Sequence, residues 1–347
     1  MSVRTLRVVV VGGGVIGAAV AWYLVRAGAQ VTLFERGAVP ACGTTRWSYG
    51  WVGTGSTLPS ENPARFALVQ AALPEFSTLQ KALGPLPVAA RGALVWLESE
   101  TETTAFVAEQ RAAGVRIEEI GRAAVEAMEP GLAKPPALAA WMPDDFAVEP
   151  IELTAQLLSA AQALGACVRY GCQVESVETR NGRCTGVHTP AGAVPADVVV
   201  LANAASAGQL AATAGVRLQI VEKPAVLLQF ASSPCPIKHM LYGQGLELRP
   251  SRSGGLVSAA DLPDTGKNGL PELEARTASA IAELIKPPLQ LATVSVRSAM
   301  RAMTLDGAPL RGFVDSVPSL YAVVAHPGVI LAPQLGRLAA GDILASS

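Results

Sequence analysis

Gly12, Gly14 and Gly17 stand in the run VVVVGGGVIGAAVAWYLVRAGAQVTLFER, with the spacing of a turn that closes on a dinucleotide diphosphate. Each glycine has its own task. Gly12 lets the chain turn tightly after a strand, Gly14 lets the main chain approach the pyrophosphate, and Gly17 lets the following helix pack against that strand. Val15 and Ile16 open the helix, whose first N–H groups lack partners inside it and lie at the positive end of its dipole. Glu35 falls at the end of the next strand, about 20 residues on, where an acid accepts hydrogen bonds from ribose hydroxyls. Arg4 and Arg7 before the uncharged run Val8 to Val25, with Ala27-Gly28-Ala29 after it, mimic a secretion signal. Three consecutive glycines would each cost about 1 kcal/mol inside such a helix, so a strand, a turn and a helix are expected instead.

The segment ACGTTRWSYGWVG follows Glu35 and Arg36 within a few residues. An NAD domain would continue here with further strand-helix-strand units. A loop rich in glycine and hydroxyls, with Gly50 among its cofactor-binding candidates, can instead bring Thr44, Thr45 and Ser48 to a second phosphate and leave Trp47, Tyr49 and Trp51 near an isoalloxazine ring. The same composition also suits a surface loop whose aromatics turn into the core.

With these segments the chain resembles the D-amino-acid oxidase family of FAD-dependent oxidoreductases, which includes glycine oxidase and sarcosine oxidase. The resemblance runs over nearly the whole length. It extends through PDDFAVEPIELTAQLLSAAQALGACV, the strand pair ending in ADVVVLANAAS, and the tail MRAMTLDGAPLRGFVDSVPSLYAVVAHPGVILAPQLGRLAAGDI. It implies FAD, held non-covalently because no cysteine lies beyond Cys235 to form a thioether. It also implies that the Val174 backbone meets the adenine, that Ala202, Asn203 and Ala204 line the nucleotide end, and that Gly328, Val329, Ile330 and Leu331 start a helix facing the flavin N1 and C2 carbonyl. Free N–H groups there stabilise the negative charge of a reduced flavin.

Arg301 takes the family position that pairs with a substrate carboxylate, a task for which two parallel N–H bonds suit a planar guanidinium. Arg297 competes for it. His326 reaches substrate or flavin, or is satisfied by the backbone of its turn. Tyr242 and Glu247 fall where relatives place substrate contacts, and Glu247 suits a cationic substrate if it points inward. The sequence departs from the family pattern at Asn203-Ala204, where relatives carry Ala-Gly, at Ala302, where they carry proline, and at Pro327. The implied chemistry is hydride transfer from the α-carbon of a small amino acid or secondary amine to flavin N5, giving an imine that water hydrolyses, with positioning as the protein's main contribution. The flavin subunit of a multi-component amine or imino-acid dehydrogenase, a non-catalytic FAD-binding subunit, and an NAD-dependent dehydrogenase are the rival readings.

The elements that must position these residues read as α/β. Arg7 to Val11, the helix Val15 to Ala27 and Gln30 to Phe34 form a strand-helix-strand unit, and Asn62 to Leu83, Thr101 to Ala113, Glu152 to Leu164 and Pro271 to Ile285 read as helices. Ala93 to Leu97, Gln173 to Glu178, Ala196 to Ala202, Leu218 to Ala231, Gly245 to Pro250, Gly255 to Ala259 and Leu291 to Met300 read as strands. Pro130 to Pro136 is a linker candidate. A last strand, Leu320 to Ala325, precedes a final helix from about Ile330 to Leu344. This gives a Rossmann-like FAD-binding domain (1–90, 148–217 and 302–347) interrupted by a mainly antiparallel substrate domain (91–147 and 218–301).

At 347 residues the chain is long enough for two cores. Charged residues make up 16%, against a usual figure near ~25%, which leads us to expect a homo-oligomer or a partner subunit. A net charge of −1 with no basic cluster offers nothing to nucleic acid or an anionic membrane, and no membrane span is expected. Five scattered cysteines and three histidines lack the spacing of a metal site and fit a reducing, cytoplasmic compartment. Cys167 and Cys172 are either a redox pair or two small apolar side chains.

Overall fold

The computed structural model describes residues 5–346, so Arg4 lies outside the described residues. A strand buried on both faces needs apolar side chains at every position, and the run Val8 to Val11 supplies them. Arg7–Val11 lies at the centre of a six-stranded sheet, between the parallel strands Val198–Leu201 and Gln30–Phe34. The order continues outward through Leu320–Val324 to the antiparallel edge Leu310–Phe313 on one side, and to Cys167–Arg169 on the other. Val8 and Val10 face helices Val15–Arg26, Pro150–Ala163 and Gly328–Ala345, whereas Val9 and Val11 face a second core beneath the small sheet Ser176–Arg180, Arg183–Thr189 and Gly192–Pro195. The last helix packs closely on the first at Gly336, where a Cβ would meet Ala19 at 2.8 Å.

The second large sheet has nine strands. Ala292–Met303, Val221–Ala231, Leu256–Asp261, Leu246–Pro250 and Met240–Gly243 follow one another antiparallel, and Val88–Trp96 then pairs parallel with the last of these. Strand Leu138–Val148 holds Val88–Trp96, the short Trp51–Val52 and Glu118–Gly121. Alternation along Val221–Ala231 sends Val226, Leu228 and Phe230 toward helix Leu270–Leu284, while Leu227 packs with Val257 and Tyr49 on the opposite face.

A buried ion pair braces the point where the chain crosses from the nine-stranded sheet to the parallel one. Arg249, 1% exposed, donates from Nε to the Tyr49 carbonyl at 2.6 Å and from both Nη atoms to the carboxylate of Glu149, at 3.1 and 3.2 Å. Glu149 directly follows strand Leu138–Val148 of the nine-stranded sheet and precedes helix Pro150–Ala163 of the parallel unit.

Three expectations need correction. The loop from Cys42 contains one turn of tight helix, Thr44–Trp47, and the strand Trp51–Val52. The strand expected at Gln173 starts at Ser176. Pro130 to Pro136 is not a linker, because Leu132 is fully buried and bridges to Ile285 in the same unit.

Candidate functional site

A cavity of about 530 Å³ opens at the C-terminal ends of the parallel strands and is walled on its far side by the nine-stranded sheet. The glycine turn forms its floor. Gly12 has φ 110°, and a Cβ on it would lie 2.7 Å from the Ala202 carbonyl oxygen. Gly17 stands behind the turn and outside the cavity, where a Cβ would overlap the Gly12 carbonyl oxygen. No side chain caps the first helix at Gly14, and the Val15 N–H donates to Thr45 Oγ1 at 3.2 Å. Glu35, 7% exposed, accepts from the Gly13 and Gly37 N–H groups, each at 2.7 Å. This carboxylate braces the glycine turn, a role its spacing did not reveal, and it lines the cavity with Arg36.

Gly14, Val15, Ile16, Thr44, Thr45, Ser48, Tyr49, Gly50 and Trp51 line the same space, as do Val174, Ala202, Asn203, Ala204, Gly328, Val329 and Ile330. Leu331 does not, being turned into the helix core. Thr44 spends its hydroxyl on the Met300 carbonyl at 2.9 Å. The Trp51 indole donates to buried Asp145 at 2.8 Å, and the Gly55 N–H donates to the same carboxylate oxygen at 2.9 Å.

Arg301, Glu247 and His326 line the cavity as well, and Arg301 acts electrostatically on both of the others. Strand register explains the first two: Ala299 and Arg301 on one strand, Ala225 on the next, and Glu247 beside Ala259 alternate onto the same face. Arg301 donates from Nη2 to Asp261 at 2.7 Å and to the Pro224 carbonyl at 2.9 Å, while its Nε is buried without a partner. Arg297 lies outside the cavity, donating to its neighbour's carbonyl. Tyr242 also stands outside; it pairs with Glu247 across the strands and sets its ring edge-on to Trp51, with centroids 6.4 Å apart. Arg65, Gln173 and Gln209 line the cavity and were not anticipated.

The sequence matches the family described as DAO, FAD dependent oxidoreductase, over residues 7–341. The chain belongs to this family. This oxidoreductase is 30% identical over 346 residues to glycine oxidase of Pseudomonas putida, covering 94% of this chain and 91% of that protein. It is 26% identical over 346 residues to glycine oxidase of Bacillus subtilis, covering 96% and 92%. Its fold matches the crystal structure of glycine oxidase from Geobacillus kaustophilus with a TM-score of 0.84, at 23% identity and 98% and 95% coverage.

The residues present in the oxidoreductase fit FAD. A glycine turn free of side chains, an uncapped helix start and a buried acid meet at one end of the cavity, and Asn203 Oδ1 is buried there with no protein partner. An orphaned acceptor in such a place is satisfied by a ligand donor. At the other end, burial, reinforced by Asp261, raises the Glu247 carboxyl to about 7, and Arg301 only partly offsets this. Burial, together with Arg65 and Arg301, lowers His326 to about 4, so the oxidoreductase keeps this ring neutral at physiological pH.

Proposed function

We propose that this FAD-dependent enzyme oxidises the C–N bond of a small amino acid or amine that carries a carboxylate. The observation that carries the reading is one cavity that joins a dinucleotide cradle to a buried arginine donor and a half-buried glutamate. When bound, the flavin supplies the hydride acceptor. Arg301 Nε receives the substrate carboxylate and sets the molecule's orientation, which is where most of the rate gain arises. Glu247 faces the amine, and with its carboxyl near 7 it takes the ammonium proton at its oxygens at neutral pH. Neutral His326 adds no competing charge. Tyr49 and Trp51, packed near Leu227 and Val257, exclude water.

Glu247 titrates well above an ordinary carboxyl, so it is charged only above about pH 7. The value of kcat/KM is expected to rise as pH increases through this value, and Glu247→Gln to remove that limb. A wild-type profile flat between pH 6 and 8 would exclude Glu247 from proton transfer.

The reading as a whole is tested by anaerobic addition of glycine derivatives, D- and L-amino acids and cyclic imino acids while the flavin absorbance is followed. At least one carboxylated amine is expected to bleach it. A flavin unchanged across the whole set would leave a cofactor-stabilised subunit as the better reading.

Residues 1–90, 148–217 and 302–347 hold FAD, and 91–147 with 218–301 receive the substrate. The flavin is held non-covalently, since Cys172, the cysteine that lines the cavity, neighbours Gln173 and Val174 at the end assigned to adenine. The enzyme is cytoplasmic and oligomeric: its five cysteines are all free, and Val294 and Met300 expose apolar surface on the edge strand Ala292–Met303, followed by Leu305. Among the described residues no helix is long and apolar enough to cross a membrane.

A further inference from the structure

Arg65 stands in the first turn of helix Pro63–Leu83, where its N–H donates to the capping Asn62 side chain at 2.9 Å. Its guanidinium reaches the cavity that holds Arg301 and His326. Other interior arginines have a carboxylate: Arg249 has Glu149 and Arg301 has Asp261. Arg65 has none among the described residues, and its Nε is buried with no partner at all. Burial and the like charge of Arg301 both lower its pKa, and no acid acts against them. A partly buried guanidinium beside a second one is unfavourable unless an anion joins them.

The flavin diphosphate is not that anion. Arg65 acts electrostatically on Arg301 and His326 at the substrate end, whereas the glycine turn and Thr45 form the cradle at the other. A carboxylate that pairs with the Nε edge of Arg301 leaves the Nε edge of Arg65 to a further acceptor. Asp261 and the Pro224 carbonyl already hold Arg301 Nη2, so Arg301 presents one remaining edge and Arg65 presents another.

We propose that Arg65 receives a second acidic group of the substrate, so the site selects amines bearing two acids over amines bearing one. This rests on the reading that the cavity oxidises carboxylated amines, but its test does not need turnover. Glutarate and pentanoate have the same chain length and differ only in whether the far end is a carboxylate or a methyl group. Neither contains nitrogen, so each binds without reacting, and a failure of the oxidation reading would show in the anaerobic screen instead.

The holoenzyme is titrated with each acid at constant ionic strength, with the shift in flavin absorbance as the signal. Glutarate is expected to bind wild type at least about tenfold more tightly than pentanoate, in line with a charge-assisted pair. Arg65→Met is expected to bring the two affinities to within about twofold, with flavin content and melting temperature retained, and Arg65→Lys to keep part of the preference. Equal affinities in wild type, no response to either acid, or an Arg65→Met variant that weakens both acids alike would each overturn the proposal. Should Arg65→Met lose its flavin, the wild-type comparison and Arg65→Lys decide the matter.

Discussion

Gly17→Ala is expected to yield a folded protein that purifies without its yellow colour, its affinity for FAD reduced about a hundredfold or more, close to 3 kcal/mol. The added methyl would occupy the position of the Gly12 carbonyl oxygen, which is backbone and cannot swing aside. Either the helix or the turn must move. The helix is fixed from behind, because Ala18, Ala19 and Ala21 are fully buried and Gly336 of the last helix touches Ala19. The turn therefore gives way, and with it the N–H groups that face the diphosphate. Titration of the apoprotein with FAD, followed by flavin fluorescence, measures the loss. Gly341→Ala provides the comparison, since a Cβ there meets nothing within 4 Å and a helical alanine is slightly favoured. A Gly17→Ala protein that binds FAD as wild type does would remove the glycine turn from the cofactor site.

Arg301→Ala is expected to lower kcat/KM for a carboxylated amine by two to three orders of magnitude, about 3–4 kcal/mol, because the substrate carboxylate then enters a buried site without its donor. An amine of similar size that lacks the carboxylate should lose little. The stability of the fold should change far less than the activity: the partner left behind, Asp261, is 84% exposed and is solvated by water. Arg301→Lys should recover only part of the activity, since an ammonium cannot present two parallel donors. Equal losses for amines with and without a carboxylate would show that Arg301 positions something other than the acid.

The parts of this structure legible in the sequence are those whose causes are local. Four valines in a row announce a strand covered on both sides, and Gly12, Gly14 and Gly17 announce the turn that follows, because each task belongs to a few adjacent residues. The strand Leu138–Val148 was harder to see, since Pro143, Asp144 and Asp145 read as turn residues. Asp145 is tolerated there because the Trp51 indole and the Gly55 N–H satisfy it from far along the chain. Burial raises its carboxyl to about 6, a change that no local pattern encodes. Met240–Gly243 is too short to show an alternation. Arg65 is the clearest omission: on sequence it is a cation in the first turn of an amphipathic helix, with nothing to distinguish it from a solvated one. Only the arrival of strand Ala292–Met303 beside it makes it unusual. Resemblance supplied Arg301 and Glu247, and strand register explains why they share a face. Tyr242 lies one layer back, supporting Trp51 and Glu247 rather than lining the cavity.

The pair between Arg249 and Glu149 stiffens the crossover where the chain leaves the nine-stranded sheet for the parallel one. Drawing Glu149 away at the crossover would strand a guanidinium that is 1% exposed, at a penalty of about 3–5 kcal/mol. A hinge at this crossover is therefore disfavoured, and small side-chain and loop movements at the rim are the less costly way for molecules to reach the interior.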